Sequence, residues 1–380
     1  MPLALAACTA SAANWEIAPR LEGGYMYSDN YRLDLPGEEI EVSGVEADAA
    51  VTFRTVDPRT NFDITPRINS TYFPSESDED SNNYYLTAGF SDITPRRRIQ
   101  VPFNFAQEDV VRSELPNTDD GGGLGEPTQG DSGRFVQRNR RDFYRIAPSF
   151  SYDLSQRYRM ELNAHYLDAN FDNQLNGAQQ DFSESGVGAG FGFLTSTRSA
   201  LVARALAFQY KTNTTTDAYG GELEWNTQYS ANSRAYVRLG AQQTKPDNGS
   251  SDTNVIAGAG GQWASQRNTL FVDFTRSVGP VSAGTVVERH QLRLRLDHDV
   301  SQRFALRAGA RLSRDEEIED GSYPTREYAI GELGFEWRWM RQLALTGTYN
   351  YRWQEYDDEP SDASASTFMI GLVYEPKRAD

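Results

Sequence analysis

The sequence predicts an all-β chain closed into a transmembrane antiparallel up-and-down β-barrel of about 18 strands, with 16 as the alternative count. Three observations predict it. From Asn14 onward, segments of 10 to 14 residues keep one apolar parity, the period that sends alternate side chains to opposite faces of a strand. The connectors alternate between tight turns and longer acidic stretches. The aromatic residues, 20 Tyr, 19 Phe and 6 Trp, gather at the ends of the alternating segments, where a bilayer interface selects amphipathic rings.

In chain order, the first apolar parities run from Trp15 to Tyr27, Val45 to Phe53, Phe62 to Tyr72, Tyr84 to Phe90 and Ile99 to Phe105. Ile146 to Leu154, Met160 to Tyr166 and Val187 to Phe193 continue the series, followed by Leu223 to Tyr229 and Val255 to Trp263. Between them, Leu201 to Tyr210 is apolar on both parities, which predicts a bulge there. The last third is the most regular. Leu292, Leu294 and Leu296 alternate with Arg293, Arg295 and Asp297, and Leu306, Ala308, Ala310 and Leu312 with Arg307 and Arg311. Leu333, Phe335, Trp337 and Trp339 then stand against Glu332, Glu336 and Arg338. Leu343 to Trp353 and Phe368 to Tyr374 close the pattern.

The tight connectors repeat a theme: Asp153-Leu-Ser-Gln-Arg157, Ser230-Ala-Asn-Ser-Arg234, Ala264-Ser-Gln-Arg-Asn268, Asp299-Val-Ser-Gln-Arg303 and Met340-Arg-Gln342. The longer class covers 74–82, 113–139, 173–181, 245–252, 314–325 and 356–363. Short turns on one rim and long loops on the other are what an inserted barrel produces, so both termini are expected on the periplasmic side. A soluble propeller or solenoid repeats strands too, but it does not predict this asymmetry.

Composition sets limits rather than a class. A hydrophobic content of 38% and a mean hydropathy of −0.64 resemble a water-soluble protein. No run of about 18 apolar residues offers a membrane helix. A barrel needs only every second residue apolar, so low hydropathy does not argue against one. A net charge of −17 makes nucleic acid an unfavourable partner, since binding it requires a basic stripe. One cysteine, Cys8, removes a disulfide framework or multi-cysteine metal site, and no cofactor or metal is expected. Residues 1–13 read as the remnant of a secretory signal peptide ending in Ala10-Ser11-Ala12, although Leu5-Ala6-Ala7-Cys8 also has the form of a lipobox. The barrel is assigned to residues 14–375 and a short tail to 376–380.

With Ser-Gln-Arg turns followed by an aromatic residue, as at Ser155 to Tyr158 and Ser301 to Phe304, the chain resembles the β-barrel porin families of Gram-negative outer membranes associated with exopolysaccharide. The resemblance covers nearly the whole chain and implies a conduit for polysaccharide or another polar solute. Its implied partners are outer-membrane lipid and lipopolysaccharide, the barrel assembly machinery, a polysaccharide and a periplasmic export protein. The chain departs from many such barrels in ending Glu-Pro-Lys-Arg-Ala-Asp rather than on Phe or Trp.

If the leucines face lipid, the opposite parity lines the lumen, because Arg or Lys at the bilayer midplane costs about 2 to 4 kcal/mol. The expected pore-lining residues are Arg293, Arg295, Arg307, Arg311, Glu332, Glu336, Arg338 and Arg352, with Glu222, Glu224 and Arg238 from earlier strands. One reading makes them cross-strand ladders, with Arg307 opposite Glu332 and Arg303 near Glu336. The other makes the arginines a track for anions, to which guanidinium offers two parallel donors. The 113–139 connector carries Asp119, Asp120, Glu126 and Asp131 and is the candidate constriction loop. Only His165, His290 and His298 are present, each better placed as an ordinary lumen or turn residue than as a catalytic base, so no enzyme is expected. Three functions follow: exopolysaccharide secretion, general diffusion of polar solutes, or a non-conducting surface barrel.

Overall fold

The computed structural model describes residues 15–55, 57, 59–114, 139–173, 179–247, 249–318 and 323–376, with the side chains of 113 and 114 left out. The leader and lipobox residues 1–13 and most of the 376–380 tail lie outside the described residues.

The strands are β1 Trp15–Ser28, β2 Val42–Thr55, β3 Thr60–Tyr72, β4 Ser81–Ile93, β5 Arg97–Asp109, β6 Arg140–Ile146 and β7 Ser149–Asp153. There follow β8 Tyr158–Phe171, β9 Phe182–Leu194, β10 Ser199–Lys211, β11 Thr215–Ser230, β12 Ser233–Pro246 and β13 Asp252–Ala264. The last six are β14 Asn268–Val281, β15 Thr285–Asp299, β16 Phe304–Glu317, β17 Arg326–Arg338, β18 Leu343–Tyr356 and β19 Ala363–Tyr374. A 3-10 turn, Ser77–Glu79, and one short helix, α1 Val110–Glu114, accompany them.

Each strand pairs antiparallel with its neighbours, and β1 closes the sheet on β19 from Leu21↔Tyr374 to Ser28↔Thr367. β6 and β7 are two halves of one stave, since both pair with β5 and with β8. The wall is therefore the expected closed barrel of 18 staves. The interruption has a local cause: Pro148 sits in the break and Pro102 faces it on β5, and neither carries an amide hydrogen for the ladder. Ala147 still donates to the Pro102 carbonyl at 3.2 Å and Ala164 to that of Pro148 at 3.0 Å, so the wall remains joined there.

The outer face follows from the alternation. Leu239 is 63% exposed, Leu333 60% and Val187 60%, on strands whose other parity is buried or half-buried. Leucines exposed at every second position fit hydrocarbon rather than water. Trp15, Trp225, Trp263 and Trp337 lie toward the turn end, and Tyr25, Tyr72, Tyr84, Tyr166 and Tyr219 toward the loop end. Trp15 and Tyr25 are ten residues apart, which at ~3.3 Å per residue and a tilt of ~40° spans about 25 Å, the height of a membrane belt.

The turn end explains the repeated Ser-Gln-Arg theme. Ser155 Oγ accepts the amides of Arg157 and Tyr158, both at 3.2 Å. Ser301 Oγ accepts those of Arg303 and Phe304 at 3.2 and 3.1 Å. Such side-chain bonds stand in for the backbone bonds a tight reversal lacks. Ser301→Ala is expected to cost about 0.5–1 kcal/mol in urea unfolding, a loss that an alanine substitution at the exposed Gln302 does not share. An arginine falls within or just after each of the eight turns: Arg59, Arg96, Arg157 and Arg198 on the first four. Arg234, Arg267, Arg303 and Arg341 mark the rest. All eight are exposed.

Three expectations are corrected. β10 keeps an unbroken register with both neighbours, and the only register shift among the described residues lies in β11, between Gln228 and Ser230. Arg307 pairs with Gly334, Gly309 with Glu332 and Ala305 with Glu336, so the β16–β17 register is displaced by two residues from the expected ladder. Nor are all loop-end connectors long, since 212–214 and 282–284 have three residues each.

Candidate functional site

The candidate site is the lumen, and three segments from the loop end enter it. The first is 29–41. Tyr31 packs with Met26, Val42, Phe73 and Val111, and its ring meets Phe73 edge-on at 5.3 Å. Leu33 packs with Tyr328, Ile330, Ala363 and Ala365, all on the lumen parity of β17 and β19. Asn30 donates to the carbonyls of Asp34 and Ser364 at 2.8 and 3.0 Å. Leu33 takes a left-handed conformation, φ 66°, to turn the chain back. Arg32 forms a salt bridge with Glu79 of the neighbouring connector. Burial raises the Asp34 carboxyl above the ordinary carboxylate range, against the opposing charge of Arg32.

The second is α1. Val110 packs with Phe143, Ala169, Phe171 and Phe182, and Arg112 bonds Glu46 of β2 at 2.6 Å. Burial alone would lower the Arg112 pKa, but the Glu46 carboxylate, with smaller contributions from the Tyr31 and Tyr85 phenol groups, reverses this and holds it above its ordinary value.

The third was not visible in the sequence. β14 stays paired with β13 only as far as Arg276↔Ala257, whereas β14 and β15 remain paired to Val281↔Thr285. The freed hairpin leans across the lumen side of β10–β13 and docks on the far side. Tyr210 donates to the Val278 carbonyl at 3.2 Å, Gln180 N–H to that of Ser282 at 2.6 Å, and Asn213 N–H to that of Gly284 at 3.4 Å. Val278 and Val286 pack on Tyr210 and Ala218. This explains why β10 is apolar on both faces: its lumen parity, Phe208 and Tyr210, meets the hairpin. Gly284 has φ +85°, and a Cβ there would overlap Asn213 and Gln180. The lumen face of β9 is Gly186, Gly188, Gly190 and Gly192. This lets Asn163, His165 and Arg204 of the adjacent strands lie across the backbone; a Cβ at Gly188 would strike Asn163 and Leu206.

Beside this hairpin lies a chamber of about 570 Å³ lined from β5 round to β15. Its charged groups are Arg145, Arg238, Arg276 and Arg289 against Glu184 and Glu222, with Asn104, Asn163 and Gln242 between them. A second cavity, about 1000 Å³, lies at the turn end and contains Arg98, Arg159, Arg198, Arg234 and Arg238 with Glu224. Arg238 borders both.

The sequence-assigned residues are placed as follows. Arg293 bonds Asp273 at 2.6 Å and is almost buried; Arg311 is also nearly buried, its guanidinium over Tyr328 at 5.2 Å. Arg295 and Arg307 both bond Asp297, at 2.8 and 2.9 Å, and remain partly exposed. Arg338 pairs with Glu336 two residues away. Glu222 and Glu224 bind Arg204, which also reaches Glu161 at 3.0 Å. Glu332 stands on the same parity, opposite Gly309. Arg352 is on the lumen parity but is fully buried under segment 29–41, where it donates to the carbonyls of Asn30 and Tyr31. Asp119, Asp120, Glu126 and Asp131 lie outside the described residues.

His165 meets Glu184 at 2.7 Å, His290 meets Glu288 at 2.8 Å, and His298 Nδ1 meets Asn268 at 2.6 Å. Among the described residues no group of three or more His, Cys, Asp or Glu is placed to hold a metal.

No protein-family profile and no curated protein matches the sequence. Among solved structures the chain is similar to OccAB3 of Acinetobacter baumannii, with a TM-score of 0.49 and 10% identity over 95% of this chain and 99% of that one. It is similar to OpdK of Pseudomonas aeruginosa with vanillate, at 0.49 and 10% over 95% and 99%. The third is OccK2 (OpdF) of Pseudomonas aeruginosa in complex with glucuronate, at 0.48 and 10% over 96% and 99%. These likenesses concern the course of the chain alone. The closed antiparallel wall, its aromatic-edged apolar exterior and its charged interior make the protein an outer-membrane β-barrel.

Proposed function

We propose that the barrel is a diffusion pore for small polar solutes that favours anions. The observation that carries this reading is the sign of the two lumen cavities. The chain has a net charge of −17, yet the larger cavity holds five arginines against one glutamate; the smaller holds four against two, with Arg276 and Arg289 paired to Glu288 and Asp315 behind them. In a confined, poorly screened space, fixed guanidinium charge raises the local concentration of anions and offers carboxylates or phosphates two parallel donors. Arg295 and Arg307 both bond Asp297 and lie close enough to Glu332 to act on its charge, so this part of the wall holds two arginines among two carboxylates.

Secretion of exopolysaccharide is the special case implied by the sequence resemblance. Segment 29–41 and the β14–β15 hairpin narrow the lumen and favour small solutes over a polymer. Reversal potentials across a planar bilayer with a KCl gradient test the reading. Arg238→Glu is expected to move selectivity toward cations, since it replaces the one positive charge common to both cavities with a negative one. The double variant Arg295→Glu/Arg307→Glu is expected to act in the same direction more weakly. A cation-selective native pore, or a reversal potential indifferent to Arg238→Glu, would sink the anion preference.

A further inference from the structure

The two rims of the barrel carry opposite charge, and this bears on which mouth takes up the solute. The nine connectors at the loop end contain 23 acidic residues and four basic ones, whereas the eight turns contain one acidic residue and seven basic ones. Of the eight turn-end arginines, only Arg59 has an ion pair among the described residues, with Asp92 at 3.2 Å. Two of these, Arg198 and Arg234, line the larger cavity, where Arg98 likewise lacks an ion pair among the described residues; Arg198 donates to the Tyr229 carbonyl at 3.2 Å. The other charges at this cavity are more closely matched: Arg159 bonds Asp153 at 2.6 Å and Glu224 bonds Arg204 at 2.7 Å.

We infer that the turn-end cavity is a binding site for compact polyvalent anions, ones bearing two or more carboxylate or phosphate groups, and that it captures them from the periplasmic side. This rests on the pore reading above and adds a site and a side to it. The physical case is one of distance. The two rims are about 25 Å apart and the Debye length at physiological salt is about 8 Å, so each rim acts on solute arriving at its own mouth. An anion nearing the loop end meets repulsion. One nearing the turn end meets a ring of guanidinium groups and then a cavity of about 1000 Å³ in which Arg98, Arg198 and Arg234 project. Each added charge on the solute multiplies that attraction, which selects polyvalent over monovalent species.

At equilibrium a passive pore cannot favour one direction of net flow. What the charge distribution sets is the concentration at which each mouth saturates. Two measurements on the full chain test it, both with tripolyphosphate as the probe. In planar bilayers, with orientation read by an antibody to a C-terminal tag, tripolyphosphate added on the turn side is expected to block chloride current at a concentration at least tenfold lower than on the loop side. In detergent, titration calorimetry at low salt is expected to show one saturable site, weakened at least tenfold in Arg98→Gln/Arg198→Gln/Arg234→Gln and weakened steeply by added salt. Equal block from both sides would overturn the capture side, and calorimetry unaffected by the triple variant would overturn the site. A barrel that binds tripolyphosphate in this way without conducting would overturn the pore reading and leave the site established; an anion-selective pore blocked equally from both sides would do the reverse.

Discussion

Replacing Gly279–Val287 with an Asn-Gly turn, so that Val278 and Glu288 end a shortened hairpin, is expected to raise single-channel conductance roughly twofold and to weaken discrimination among solutes by size. The removed residues hold the tip that reaches Gln180 and Asn213, while Arg276↔His290 and the pairs below it stay in register. The two-residue Asn-Gly loop fits the twist of the strands it joins. Folding should survive, because the excised stretch makes no ladder to β13. A milder form of the same test is Gly284→Val. A β-branched residue at φ +85° carries a backbone cost of about 1–3 kcal/mol, and its Cβ would displace Asn213 or Gln180. That variant should show frequent switching between the native conductance and a larger one. Native conductance in both variants would mean that the hairpin does not limit the pore.

The hairpin also shows where sequence reasoning stops. Strand alternation is a local property, and it located the wall and the lipid-facing leucines of β15 to β19, because lipid on one face and water on the other impose period two on every strand. Contacts across the lumen leave no such period. In β10, Val202, Leu206, Phe208 and Tyr210 broke the alternation, and the departure was assigned to a bulge; its cause is a hairpin arriving from β14 and β15, four staves away. Residues 282–284 gave no signal of their own, being a three-residue connector of small side chains. Even so, one nearby feature could have pointed to a departure from the wall: the Gly-Pro at 279–280 within a strand, where proline loses a ladder bond. Segment 29–41 offered less, since its acidic surface residues matched the other loops. Arg352 illustrates the limit of parity. Alternation placed it on the lumen side, but could not distinguish an arginine facing water from one covered by a returning loop. The register of β16 against β17 was also beyond reach, as counting back from a loop of unknown path leaves an even offset undetermined.

Arg352→Met is expected to have the second large effect, on stability and on the pore together. The guanidinium is completely buried, and one of its nitrogens donates to the carbonyls of Asn30 at 3.2 Å and Tyr31 at 2.8 Å. It thus pins the point where segment 29–41 turns into the barrel. Methionine has comparable length and would fill much of the space, but it donates nothing. The buried Tyr31 carbonyl would lose this donor at about 1–3 kcal/mol, while that of Asn30 keeps the Leu33 N–H at 3.3 Å, so a loss of about 2 kcal/mol in urea unfolding is expected. Gln354 continues to hold the Leu33 carbonyl at 3.1 Å, and the Leu33 cluster remains apolar, which argues for a loosened segment rather than an unfolded barrel. A loosened segment should appear as excess current noise and a higher mean conductance. Arg352→Lys separates charge from geometry: lysine keeps the positive charge but offers a single ammonium group in place of the planar fork. If the fork is what anchors the segment, the lysine variant should fall near methionine in both measurements. If buried charge alone matters, it should fall near the native protein. Native stability and quiet native conductance in Arg352→Met would show that segment 29–41 is held by its apolar contacts and not by this arginine.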